Sequence, residues 1–127
     1  MKNLVTFKKY FKSIVVISSV LAASHVLAGA KVTQTVSASP TFILGNVGDA
    51  RNSANTIEYI SIEDYGTSVS VIAVAASGSM ASCYTNNSAV MAQLRSASSD
   101  SQIRVNISAG VCSTVFLMKS SKSAPKV

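Results

Sequence analysis

The stretch Ser88-Ala89-Val90-Met91-Ala92-Gln93-Leu94-Arg95-Ser96-Ala97-Ser98 sets the plan of the chain. Val90, Met91, Leu94 and Ala97 recur at helical spacing and form one apolar stripe, with Gln93, Arg95 and Ser96 on the opposite side. Asn86 or Asn87 can cap this helix, because a short polar side chain there satisfies a free backbone N–H. Ser99–Ser101 ends it. Around the helix the sequence reads as short strands. Cys83 stands just before it, and Cys112 follows the next strand.

Upstream of the helix, Thr56–Glu63 carries Ile57, Tyr59, Ile60 and Ile62 and reads as a strand. Asp64-Tyr65-Gly66-Thr67 is a turn and Ser68–Ala75 the returning strand, so the two form a hairpin. Ser77-Gly78-Ser79 turns the chain again into a short third strand, Met80–Tyr84. Downstream, Gln102–Ile107 alternates cleanly, Gly110 turns the chain, and Thr114–Lys119 is the last strand. At the front, Val32–Val36 and Thr41–Leu44 are strand fragments separated by Ser39-Pro40. A loop through Gly45, Gly48 and Asp49 follows them. Several of these strands are apolar on both faces, as in a tightly closed barrel or a sheet packed against another subunit.

This order predicts a mainly β protein with one helix: a small five- to six-stranded OB-fold barrel with the helix between its third and fourth strands. A sandwich does not predict that helix. A pilin would keep a long N-terminal helix.

Residues 1–30 are read apart from the domain. Lys2, Lys8, Lys9 and Lys12 precede an apolar run from Ile14 to Leu27, and Ala28-Gly29-Ala30 is an A-x-A cleavage pattern. Together these predict a secretory signal peptide, cleaved after Ala30 or Ala28, and hence a secreted or periplasmic protein. A membrane anchor would need roughly 20 apolar residues. Residues 31–119 then form a single domain and 120–127 a basic, solvated tail.

The full chain has 127 residues and a formal net charge of +6. Without the leader, seven basic residues face five acidic ones, a net of +2. That balance gives no reason to expect a nucleic-acid partner. Export makes a disulfide the default for two cysteines, and Cys83–Cys112 is the one intramolecular pairing available. A metal site or reactive thiol lacks further ligands, because the sole histidine, His25, lies in the leader.

The same absence rules out a Ser-His-Asp or Cys-His arrangement in the mature chain. Ser123-Ala124-Pro125-Lys126 matches S-x-x-K but has no helix to hold the lysine against the serine. Glu63-Asp64 is an adjacent acid pair whose side chains should point to opposite sides, as in a solvated hairpin turn. The sequence thus predicts no enzyme and no cofactor. Binding is easier to build: sugar sites set polar groups beside an aromatic face. Asp64 with Tyr65, and Tyr84 with Asn86 and Asn87, have that composition. Arg51 is a further candidate.

The stretch Ile57–Lys119 resembles the B subunits of bacterial AB5 toxins, nearest in layout to the Shiga-type B chain. The likeness rests on Ile57-Glu58-Tyr59 opening a strand, the acidic turn Glu63-Asp64, and the helix at Ser88–Ser98. The alternating QIRVNI strand, the cysteine-containing loop SAGVC and the final VFLM strand complete it. The resemblance implies a non-catalytic subunit that forms a homopentamer, recognises a host-surface glycan and carries an enzymatic A chain. Three features depart from that pattern. Cys83 lies just before the helix rather than near the mature N-terminus, there is no tryptophan, and residues 31–55 have no clear counterpart. The alternative is a secreted or periplasmic small OB-fold or β-domain binding or structural protein without a toxin partner.

Overall fold

In a computed structural model of the chain, the described residues are 33–120 and Lys122, all within one compact unit spanning Lys31–Val127. The segments predicted as a signal peptide and, for the most part, as a basic tail lie outside them.

The elements are β1 (Ser37–Ser39), β2 (Phe42–Asn46), α1 (Val47–Arg51), β3 (Tyr59–Asp64), β4 (Val69–Val74), β5 (Met80–Thr85), α2 (Ser88–Arg95), β6 (Ser101–Ser108) and β7 (Val111–Lys119). Seven strands form one mainly antiparallel sheet in the order β1-β2-β6-β7-β5-β4-β3. The expected five or six strands are therefore seven, and the sheet is open, with β1 and β3 as its edges. The extra strands are the β1–β2 hairpin, in which Ser39 pairs with Phe42 across Pro40-Thr41, and which continues the sheet beside β6.

The hairpins follow from local sequence. In the β3–β4 turn, Asp64 Oδ1 accepts from the Gly66 N–H at 2.8 Å, and Gly66 takes a φ of 84°. Ala109 and Gly110 join β6 to β7 with φ of 49° and 76°, positive at both centres as the right-handed twist of a tight hairpin favours. At α2, Asn87 is the cap: its Oδ1 accepts from the N–H of Ala89 and Val90 at 3.0 and 3.1 Å. The helix stops at Arg95, with Ser96 as its C-cap, earlier than the predicted Ser99–Ser101.

The front of the domain differs from expectation. Val36 is not in a strand; its N–H donates to the buried Glu58 carboxylate, and β1 begins one residue later. Gly45 lies within β2, and Gly48 and Asp49 lie in α1 rather than in a loop. Asn46 caps α1 by accepting from the Asp49 N–H at 2.9 Å. Gly48 sits against backbone: its N–H donates to Ser99 O at 2.8 Å, and a Cβ there would lie 2.6 Å from that oxygen. Strand β3 starts at Tyr59, because Asn55 Oδ1 takes the N–H groups of Ile57 and Glu58 into a turn.

One core unites the sheet. Inward residues of β2 (Ile43), β3 (Ile60), β4 (Val69, Val71), β6 (Ile103, Val105) and β7 (Val115) pack in one cluster with Met91 and Leu94 of α2. Gly45 of β2 approaches Ile60 of β3 so closely that a Cβ would lie 2.5 Å from Cδ1. Opposite ends of the sheet thus meet through side chains, without a hydrogen-bonded ladder between them. Cys83 of β5 and Cys112 of β7 form a disulfide, with 5.1 Å between their Cα atoms.

Met91 and Leu94 are buried and Gln93 is exposed, as the helical stripe predicts. Leu94→Ala should cost roughly 2–5 kcal/mol, the range for truncating a buried leucine, and Gln93→Ala a few tenths. Urea denaturation of the two variants checks this; equal effects would mean that the helix does not pack by this face.

Candidate binding groove

Alternation along β3, β4 and β5 turns Ile60, Val71, Ala73, Ala81 and Cys83 inward. The same alternation turns Glu63, Ser70 and Tyr84 outward in one cross-strand row, since Glu63 pairs with Ser70 and Ser70 with Tyr84. A depression of about 370 Å³ lies over this row. Ser70, Ile72 and Ser82 supply its sheet surface, Tyr65 and Tyr84 its aromatic rings, and Glu63 a carboxylate. Both rings are well exposed, at 63% and 55%.

Tyr65 is fixed by its hydroxyl, which donates to Glu63 Oε2 at 2.5 Å. Ser61 Oγ donates to the other carboxylate oxygen at 3.2 Å. The hydrogen bond to Glu63, then the nearby negative charge, raise the Tyr65 phenol above its ordinary pKa. The groove therefore holds two aromatic faces, hydroxyls and a carboxylate acceptor, the set that sugar recognition calls for.

Of the residues expected at a site, Tyr65 and Tyr84 are brought together here. Asp64 is not. Its carboxylate takes the Arg95 guanidinium through Nε at 2.7 Å and Nη2 at 2.9 Å, and Nη2 also donates to Gly66 O at 2.7 Å. This forked pair fastens the end of α2 to the β3–β4 turn. Strand alternation sets Glu63 and Asp64, adjacent in sequence, on opposite faces of β3. Asn87 is occupied in capping α2. Asn86 is exposed beside it, and Arg51 is exposed on α1; neither lines the groove. Glu63, Ser70, Ile72 and Ser82 line the groove but were not among the residues expected there. The signal was available in the alternation of β3, which sets Glu63 on the same face as Tyr59 and Ser61.

A second, smaller depression lies between residues 33–35 and α1 and includes Asp49 and Glu58. Both carboxylates there fasten the front segment. Asp49 Oδ2 accepts from the Gln34 N–H at 2.8 Å, and Glu58 accepts from the Val36 N–H and from Ser53 Oγ. Among the described residues there is no grouping of three or more metal-ligating side chains, and no helix is long and apolar enough to cross a membrane.

No family model, curated protein or solved structure matches the chain.

The Arg95 hydrogen bonds, followed by the Gly66 N–H, hold the Asp64 carboxyl at about 2, down from 3.8. A depressed folded-state pKa favours the fold above the unfolded value and loses that contribution as pH falls through the folded one. Arg95→Ala should therefore raise the Asp64 midpoint toward the ordinary carboxyl range in an NMR titration, with the Gly66 N–H still holding it somewhat below. It should also shrink the part of the acid stability profile that lies between about 3.8 and 2. An unchanged Asp64 midpoint would contradict the pair's role.

Proposed function

We propose that this protein is a secreted, non-catalytic binding subunit of the AB5 type, which presents the Tyr65–Tyr84 groove to host-cell glycans and carries an enzymatic A chain. The observation behind this reading is the connectivity around α2. A three-stranded meander (β3-β4-β5) leads into the helix, a hairpin follows (β6-β7), and β7 returns parallel to β5 at Tyr84 and Val111. We read this connectivity as the strand plan of an OB-fold opened between its first and fourth strands, with the β1–β2 hairpin beside the fourth. The groove on the meander supplies the second element of the reading, a surface suited to sugar rings.

Assembly follows from the outward faces. Tyr59, Met80, Phe116 and Met118 are exposed on a single chain, at 44–62%. Scattered apolar residues are normal on a surface, but Tyr59 lies in a cross-strand row with Val74 and Met80, and Phe116 and Met118 stand two residues apart on one face of β7. A ring of identical subunits covers such rows and pairs exposed edges. The reading is a homopentamer.

A small secreted β-domain without a toxin partner is the second reading. The three-residue β1 favours it, because so short an edge strand gives a neighbouring subunit little to pair with.

Light scattering coupled to size exclusion separates the two. A pentamer whose mass is unchanged by dilution, together with loss of glycan-array binding in Tyr84→Ala, is the expected result. A monomer at micromolar concentration would remove the ring, and most of the toxin reading with it.

A further inference from the structure

Glu63 and Asp64 are consecutive carboxylates with different electrostatic situations. Asp64 is neutralised by Arg95. Glu63 receives hydrogen bonds from the neutral hydroxyls of Ser61 and Tyr65 and has no cationic partner among the described residues. It is half-buried, and no lysine or arginine lines the groove it faces. Its negative charge is therefore directed into a depression whose other prominent groups are two tyrosine rings.

Both features favour a cation. A carboxylate attracts an ammonium and repels another carboxylate, and the face of a tyrosine ring attracts positive charge through its quadrupole. Ser70 and Ser82 remain as hydroxyl partners for a sugar's own hydroxyls. Resting on the reading of the groove as a sugar site, we propose that Glu63 is its specificity-determining residue and that the groove selects an amine-bearing sugar. The ammonium sits at Glu63 between Tyr65 and Tyr84. Uncharged sugars bind more weakly, and carboxylated sugars most weakly.

Three glycosides on one ring test this: methyl glucosaminide, methyl glucoside and methyl glucuronide. Each is titrated into the purified protein at about pH 6, where the amine is protonated, with chemical shifts of Tyr65 and Tyr84 as the readout. Two charges about 5 Å apart in a water-like dielectric correspond to about fourfold in affinity, so each charge step should change affinity about fourfold. The order should be amine, neutral, acid. Glu63→Gln, which keeps the side chain's shape, should collapse the three affinities toward one value. In the unmodified protein, raising salt from about 20 to about 500 mM should shrink the amine's advantage, a check that does not depend on the variant's folding. Equal affinities, or a preference for the glucuronide at Tyr65 and Tyr84, would overturn the charge selection while leaving the sugar site standing. Failure of all three to move either tyrosine would overturn the sugar site, and the selection with it.

Discussion

The fold depends on the junction between β5 and β7. The antiparallel meander β3-β4-β5 and the antiparallel set β1-β2-β6-β7 are each built from hairpins that local sequence can specify. They join through one short parallel contact, registered at Tyr84 and Val111, with the Tyr84 N–H donating to Gly110 O at 3.1 Å. A parallel contact this short carries few hydrogen bonds. The disulfide between Cys83 and Cys112, both buried, supplies what the ladder lacks. In the loop-entropy picture, closing a loop of 29 residues favours the folded chain by roughly 3–4 kcal/mol. It also fixes phase: with Cys83 held inward, strand alternation must turn Tyr84 outward, over the groove that Gly110 also borders. Core chemistry and surface chemistry are coupled through one strand position.

Elsewhere the two ends of the sheet come together without a ladder, and carboxylates do the fastening. Glu58, buried immediately before β3, binds the backbone N–H of Val36 and the hydroxyl of Ser53. Asp49 on α1 binds the backbone N–H of Gln34. Gly45 lets β2 approach Ile60. These contacts hold the front segment across the opening, so that an open sheet still encloses a single core. A buried carboxylate is costly unless its oxygens are satisfied, and at Glu58 both are.

What could be read from the sequence was what local chemistry decides. The α2 stripe, its Asn87 cap, the three hairpin turns and the cysteine pair each depend on residues close in sequence or on a single possible partner. The closed barrel depended on which strands become neighbours across the whole chain, and periodicity carries no such information. α1 was legible in principle: Asn46 three residues before Asp49 is a capping pattern, but Gly45 and Gly48 on either side pointed to a loop. Gly48 is needed there because the Ser99 carbonyl leaves no room for a Cβ, a fact that belongs to the tertiary structure. The site was half legible. Tyr65 and Tyr84 could be suspected from composition, whereas Asp64, Asn87 and Arg51 could be assigned only once their partners and positions were known.

The distribution of charge bears on the binding role proposed for this surface. Asp64 is tied to Arg95, Asp49 to the Gln34 backbone, and Glu58 to Val36 and Ser53, so each of these carboxylates has a fastening task. Glu63 alone among the carboxylates in these contacts faces the groove, and its neighbours are hydroxyls, rings and an aliphatic side chain. Glu63 is oriented by Tyr65 and Ser61. What the groove offers a ligand is shape, an acceptor and aromatic faces, held in place by a hairpin turn that Arg95 anchors to the helix below.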